Sequence, residues 1–341
     1  MDLSIIIVSW NVKEKLRECL RSIEDTMDHN SPQLPLNLRG EELEYEVFVV
    51  DNASKDGSME MVKKEFPAVY IIANDFNAGF AKANNQAIRL SQGRFVLLLN
   101  PDMRLFPGTL EGMVKFMDEP RNDKVGVAGC HLVSPKSNVI ASEAGSRAQG
   151  RSASGGQSHG QDEEIATPHS SGARDDGNYS TVPHVRRFPA LKDQLAIMLK
   201  IPHLFPRVTD AYMTTNFDYG KEARVDSIRG SFFMIRRELM DKIGLLDEGF
   251  FIWFEEVDFC KRTIEAGYEV AYTPVARAVD YVGQSFRQIK FYPKQKMFTR
   301  SMVYYFKKHA PWWQYRILWI LRPLTLGAVW LGDKIRALHV K

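Results

Sequence analysis

FVLLLNPDMRL, residues 95–105, is the stretch on which the fold turns. Five apolar residues in succession, 95–99, read as a strand buried on both faces, since a half-exposed strand would alternate apolar and polar positions. The run stops at Asn100-Pro101-Asp102 instead of at a glycine turn. Proline fixes its own backbone there and stiffens the turn, so the carboxylate of Asp102 is aimed rather than left to wander.

Outward from this strand, the first half of the chain alternates strands and helices. Apolar runs predict strands at 3–9, 45–50, 70–73 and 125–128. Helical spacing predicts helices over 12–27, 58–66, 81–90 and 109–118. Buried apolar strands separated by helices predict an α/β fold with a mostly parallel sheet covered on both faces. Residues 31–40 read as a loop. From 142 to 183 the chain is rich in Ser, Gly, Ala, Gln, Asp and Arg with hardly a large apolar residue, and reads as a flexible insertion. His159 and His169 within it have no ligand-like neighbours in sequence. Beyond it, 225–236 reads as one strand, 237–243 as a helix closed by Gly244, 253–267 as a helix and 269–272 as a strand. The resulting division is a catalytic unit over 1–285 and basic, aromatic helices over 286–341.

The 341 residues, 44% hydrophobic, suffice for one large or two modest domains. The net charge of +3 hides an asymmetry. Residues 282–341 carry twelve Lys/Arg against one acid, Asp333, which is +11, and leave −8 for the rest. A basic tail on an acidic body points to an anionic partner. Cys19, Cys130 and Cys260 lie far apart without a CxxC pair, which fits a reducing compartment. The N-terminus reads as a strand from the outset, with no basic leader or cleavage site. A cytoplasmic location is expected.

Three parallel strands would bring Ser9-Trp10-Asn11, VVDNASKDGS (49–58) and Asn100-Pro101-Asp102 to one crevice, where open α/β sheets bind ligands. Helices starting after 56–58 or after Asn77-Ala78-Gly79 would point backbone N–H groups at an anion, which suggests a phosphorylated ligand. Each such turn alone is also ordinary capping chemistry. The nucleotide fingerprints GxGxxG and GxxxxGK[ST] are absent. In FFIWFEEVDFCKR (250–262), Glu255, Glu256 and Asp258 crowd one helical turn among aromatic residues. Acids favour a helix N-terminus, but here desolvation and mutual repulsion would raise their pKa values and suit a general base.

Six stretches together resemble a family-2 glycosyltransferase of the GT-A fold: SIIIVSWN (4–11), VVDNASKDGS, NAGFAKANNQAI (77–88), LLLNPD (97–102), GSFFMIRRE (230–238) and FFIWFEEVDFCKR. LLNPD and RRFP are similar to rhamnosyltransferase-like members. The resemblance implies an inverting transfer of a sugar, L-rhamnose from dTDP-L-rhamnose in the leading reading, to a hydroxyl of a lipid-linked or polysaccharide acceptor. It implies that Ser9, Trp10, Asp51, Asn77, Gly79 and Asn100 meet the nucleotide of a dTDP- or UDP-sugar. Asp102 would bind Mg²⁺ or Mn²⁺ on the diphosphate. Glu256 would act as base, with Asp258 the second candidate. Three positions depart from the family pattern. Asn100 replaces the first acid of Asp-x-Asp, Glu256 stands where an Asp is usual, and Asp280-Tyr281 stands where His-His is frequent, so that Asp280 would take over as metal ligand. A catalytically inactive nucleotide- or partner-binding relative would tolerate those departures. A nucleotidyltransferase would need a Gly-rich, Lys-bearing loop after the first strand, which residues 9–12 do not supply.

WWQYRILWILRPLTLGAVWL, residues 312–331, is interrupted by Arg316, Arg322 and Pro323 and lacks the ~20 unbroken apolar residues of a spanning helix. Mixed Trp, Tyr, Arg, Leu and Ile suit a helix lying in an anionic membrane surface, and imply a peripheral position on the inner face of the cell membrane. No nucleic-acid-binding motif accompanies the charge, so nucleic acid is not an expected partner.

Overall fold

The first strand shows why the sheet is central. Along β1 (Leu3–Ser9), Leu3, Ile5 and Ile7 enter one core while Ile6 enters another. Successive strand side chains point to opposite faces, so a strand apolar at every position must be covered twice. In the computed structural model, which describes residues 1–26, 42–136, 177–283 and 288–339, that covering is complete. Helices α1 (Lys13–Thr26), α2 (Ser58–Glu65) and α4 (Thr109–Asp118) close one face. Helices α3 (Phe80–Ile88), α7 (Arg237–Ile243) and α8 (Glu255–Glu265) close the other.

The sheet runs β3-β2-β1-β4-β11-β6-β12-β5. Its first half is parallel: β3 (Tyr70–Ala73), β2 (Tyr45–Asp51), β1 and β4 (Phe95–Leu99). Beyond β4 it is mixed. Strand β11 (Phe232–Arg236) runs antiparallel to both β4 and β6 (Val125–Pro135). Strand β12 (Glu269–Asp280) pairs parallel with β6 and antiparallel with the short β5 (Met103–Leu105).

Several sequence expectations are corrected. The strand over 225–236 is broken: β10 (Ser227–Ile228) leaves the main sheet to pair with β8 (Val185–Arg186), and Arg229, Gly230 and Ser231 form the step back to β11. Both β6 and β12 extend well past 128 and 272, because β7 (Tyr179–Thr181) pairs with residues 133–135 of β6 and β5 with residues 278–280 of β12; β9 (Ala223–Arg224) pairs with Ala271 and Tyr272. Strand β7 lies inside the stretch read as a flexible insertion; residues 142–176 of that stretch, and the loop at 31–40, lie outside the described residues. Helix α8 starts two residues later than its pattern, since Trp253 and Phe254 both hold left-handed backbone (φ 64° and 71°).

After β12 come α9 (Phe291–His309) and α10 (Trp312–His339), which pack on each other. They build a third core in which Met302, Tyr305, Phe306 and Leu318 meet Phe250, Phe254 and Val257, together with Met198 of α5 (Leu191–Met198). No helix among the described residues is long and apolar enough to cross a membrane. A short α6 (Asp210–Met213) completes the helices described.

Candidate active site

The carboxyl ends of β1, β2 and β4 open on one crevice. Ser9 and Asp51 are neighbours in register and both are buried. Asp51 Oδ2 accepts from the Ser54 N–H at 2.9 Å, while its Oδ1 and the Ser9 hydroxyl have no partner among the described residues. Buried polar groups are rarely left so, and a ligand is a physical reason to leave them. The loops above them are tightly tied. Asn11, at φ 52°, accepts from the Lys55 N–H through its side chain (2.7 Å) and donates its own N–H to Ser54 Oγ (2.9 Å). Gln288 donates to the carbonyl of Asn11 at 2.9 Å and of Trp10 at 3.5 Å, bringing the chain beyond β12 over the end of β1.

Asn52, which sequence reasoning passed over, organises the next loop. Its Nδ2 donates to the Gly79 carbonyl at 3.3 Å, and its Oδ1 accepts from the Ala78 N–H at 3.3 Å and from Asn74 at 3.0 Å. Asn77 accepts from the Gly79 N–H at 3.0 Å. Gly79, at φ 84°, lies so close to the loop before α8 that a Cβ would stand 2.5 Å from the Phe251 carbonyl. The neighbouring Phe80 N–H donates to that same carbonyl at 2.7 Å. The residues expected at the nucleotide are thus gathered, with Gly79 acting as the point where two loops touch.

At the end of β4, the Asn100 N–H donates to the Ser231 carbonyl at 2.9 Å, and the Asn100 carbonyl accepts from Met103 at 3.3 Å, closing the turn that holds Asp102. Asp102 is buried, and its carbonyl accepts from the Tyr281 N–H at 3.2 Å, which sets it beside Asp280 at the end of β12. Asp280 is also buried; its Oδ1 accepts from the Val282 N–H at 2.8 Å, and its Oδ2 makes no hydrogen bond among the described residues, lying 3.7 Å from Arg229. No group of three His, Cys, Asp or Glu able to hold a metal gathers among the described residues. Two carboxylates, one with an orphaned buried oxygen, nonetheless match what Mg²⁺ or Mn²⁺ asks of a protein when a diphosphate supplies the other ligands.

Across the crevice stands the first turn of α8. Gly230 passes directly over Glu256, within 3.7 Å of its Cβ once a Cβ is placed on the glycine. The broken strand 227–236 therefore links the Asn100 turn to the acids of α8 through two adjacent residues, Gly230 and Ser231. Glu255 is buried with Oε2 unpartnered, and burial, then the neighbouring Glu256, hold its carboxyl well above the usual range. Glu256 is half-buried, with Oε2 also unpartnered among the described residues. Burial raises its pKa against the helix N–H groups and the nearby Arg186 and Arg229, which pull it down. Sequence reasoning gave neither arginine a role at the site. Arg229 lies in the step between β10 and β11, and Arg186 on β8 at the start of the RRFP stretch, which carried the resemblance without assigning a residue role.

Asp258 is not with them. It is fully buried and turned to the C-terminal helices, with Arg262 Nε at 2.8 Å, Lys308 Nζ at 2.6 Å and His309 Nε2 at 2.6 Å. Burial alone would raise its carboxyl, but hydrogen bonds from His309 and Lys308 and the charge of Arg262 outweigh it and hold the pKa below the usual value.

The chain as a whole resembles known proteins by sequence and by fold. Residues 4–164 carry the match to the family model described as glycosyl transferase family 2. It is similar over 289 residues (21% identical, 81% of this chain and 79% of the other) to the N-acetylglucosaminyl-diphospho-decaprenol L-rhamnosyltransferase of Mycobacterium tuberculosis. Over 127 residues it is 30% identical to the minor teichoic acid biosynthesis protein GgaB of Bacillus subtilis, covering 36% of this chain and 13% of that one. Among solved structures it resembles a mannosyltransferase from Pyrobaculum calidifontis in complex with GDP-Man and Mn²⁺, at a TM-score of 0.50 and 17% identity, over 98% of this chain and 75% of the other. The sheet order and its two helical layers are those of the GT-A fold. The chain is an enzyme of the glycosyltransferase class.

Proposed function

We propose that this glycosyltransferase is inverting and metal-dependent, and that it moves a sugar from a nucleotide-sugar to a hydroxyl of a lipid-linked or polysaccharide acceptor. The leading donor is dTDP-L-rhamnose, with UDP-sugars as the comparison. The L-rhamnosyltransferase activity named for the Mycobacterium relative supports that order. The observation that carries the reading is the Oε2 of Glu256, without a hydrogen-bond partner among the described residues and packed under Gly230, beside the crevice where Asp51 Oδ1 and Asp280 Oδ2 are likewise buried without a hydrogen bond, the latter 3.7 Å from Arg229.

In this reading Asp51 and the main chain at Ser9 and Trp10 hold the base, and Asn77 and Asn100 border the nucleotide. Gly79 lets the 77–80 loop close on Phe251. Asp102 and Asp280 hold Mg²⁺ or Mn²⁺, which when bound offsets the negative charge that grows on the departing diphosphate. Arg229, close to both Asp280 and Glu256, adds a fixed positive charge to that region. Glu256 takes the proton of the acceptor hydroxyl as its oxygen bonds to the anomeric carbon from the face opposite the diphosphate; the carbon–oxygen bond to the diphosphate breaks and the nucleoside diphosphate leaves. A pKa raised by burial makes the carboxylate a stronger base than a solvated glutamate. Asp258, held by Arg262, Lys308 and His309, positions α8. The basic helices over 286–341 place the unit 1–285 at the inner membrane face, where a lipid-linked acceptor resides.

Calorimetric titration of dTDP and UDP, with and without Mn²⁺, into the wild type and Asp102→Ala tests the site. The expected result is metal-dependent binding, tighter for dTDP, that weakens by about 10–100-fold in the variant. If neither nucleotide binds folded protein under any metal condition, the catalytic reading gives way to that of an inactive relative. Donor hydrolysis by the wild type then separates enzyme from binder.

A further inference from the structure

Outside the crevice, the most unusual surface is the knuckle between α5 and α6. Residues 199–208, LKIPHLFPRV, expose Leu199, Leu204, Phe205 and Val208, with Leu204 78% and Phe205 67% accessible. Scattered single apolar residues need no explanation, but four in ten residues at the tip of one projection do. Their backbone is unusually self-sufficient. The N–H groups of Leu204 and Phe205 both donate to the Ile201 carbonyl at 2.9 Å, and that of Val208 donates to Phe205 at 3.1 Å. Pro202 and Pro206 have no N–H to satisfy. A loop whose amides are already paired loses little on leaving water. Lys200, His203 and Arg207 surround the apolar tip, and no acid occurs between Asp193 and Asp210.

The knuckle is continuous with the C-terminal helices. Helix α5 packs against α10, and Lys200 Nζ sits 4.9 Å from the ring centre of Phe291 at the start of α9. Helix α10 turns Tyr315, Leu318 and Leu321 inward and leaves Trp312, Trp319, Leu324 and Trp330 exposed on its outer side. Arg316 and Lys334 lie over Trp312 and Trp330, at 5.2 and 5.7 Å.

We propose that the 199–208 knuckle is a bilayer anchor which, together with the outer face of α10, seats the enzyme on an anionic membrane. Leu204 and Phe205 enter the acyl boundary while Lys200, Arg207 and the α10 cations meet the headgroups. The occupant is a lipid surface rather than a second copy because the apolar stretch carries Lys200, His203 and Arg207 with no acid between Asp193 and Asp210, and its root packs against the basic C-terminal helix, so a copy of itself would bring like charge to like charge. The anchor's root, Leu191, Leu195 and Met198, shares its core with Phe254 and Val257 of the catalytic helix, so docking is fastened to the element that carries Glu256.

This inference deepens the membrane-face part of the proposed function, and its test is independent of nucleotide. The full chain is sedimented with vesicles of phosphatidylcholine containing about one third phosphatidylglycerol. Removing two inserted apolar side chains in Leu204→Ser/Phe205→Ser is expected to lower the bound fraction about tenfold at limiting lipid. Leu90→Ser, at an exposed leucine just beyond α3, leaves binding unchanged, and Trp319→Ser/Leu324→Ser weakens it. Wild-type binding to the knuckle variant, or a wild type that stays in the supernatant, overturns the proposal. So does a dimer, seen by light scattering, that the knuckle variant abolishes while vesicle binding persists. dTDP titration of the same samples keeps the readings apart: vesicle binding without nucleotide binding removes the catalytic reading and leaves the anchor standing.

Discussion

The two sides of α8 treat carboxylates in opposite ways. On the crevice side, Glu255 and Glu256 have few partners, an unpaired oxygen each, and raised pKa values. On the side facing α9, Asp258, two residues after Glu256, is more deeply buried yet fully compensated by Arg262, Lys308 and His309. Burial by itself therefore does not make an acid reactive. What differs is whether the protein has already satisfied it. An acid left short of partners in a ligand-facing cleft is poised to accept a proton; one surrounded by cations is a fastening.

The largest expected effect breaks this contrast at its reactive end. Glu256→Gln should cost about a thousandfold in transfer rate, the range for a lost general base, with dTDP affinity within about twofold of wild type. Asp258→Asn should instead act on folding. Removing the partner of a largely buried cation cluster should destabilise by roughly 3 kcal/mol in denaturant unfolding, with the folded fraction keeping its rate. Should the two variants exchange phenotypes, Asp258 is the base. A smaller effect is expected at the loop contact. Gly79→Ala, which needs room where the Phe251 carbonyl lies and a backbone conformation side chains avoid, should cost about 2 kcal/mol and raise the donor KM.

The smallest effect separates the acids by pH. Glu255, with its pKa raised in the fold, favours the folded state below the ordinary glutamate range and costs stability as pH rises through its folded pKa. Glu255→Gln should therefore raise Tm by roughly 1–2 °C at neutral pH and not at acid pH. Asp258, with its pKa lowered, contributes stability above the ordinary aspartate range and loses it as pH falls through the depressed value. The acid limb of stability should thus move in Asp258→Asn and stay in place in Glu255→Gln.

Much of this was legible in sequence where one local signal sufficed. Strands β3 and β4 and helices α4 and α7 occur at the expected residues because apolar runs and turn residues mark both ends. The strand ends carrying Ser9, Asp51 and Asn100 follow from parallel order alone. What escaped depended on partners distant in the chain. The break at Arg229–Gly230–Ser231 is hidden in an apolar run, and its cause is the contact with Asn100 and Glu256. Asn52 looked like one more turn residue until its side chain was seen to hold the Gly79 loop. Asp258 shares one acidic pattern with Glu256, and its contacts with Lys308 and His309, fifty residues later in the chain, are not readable from that pattern.

Those contacts have a practical consequence. Helix α9 looks like the start of a detachable tail, yet Lys308 pairs with Asp258 and Asp247, His309 lies at hydrogen-bond distance from Asp258, and Ser301 donates to the Ile252 carbonyl at 2.7 Å. Shortening the chain before α9 to obtain a more tractable enzyme would strip the catalytic helix of its counter-ions along with its greasy surface. Activity lost on such trimming would be misread as a requirement for lipid, when the injury is to the packing and ion pairs that hold α8.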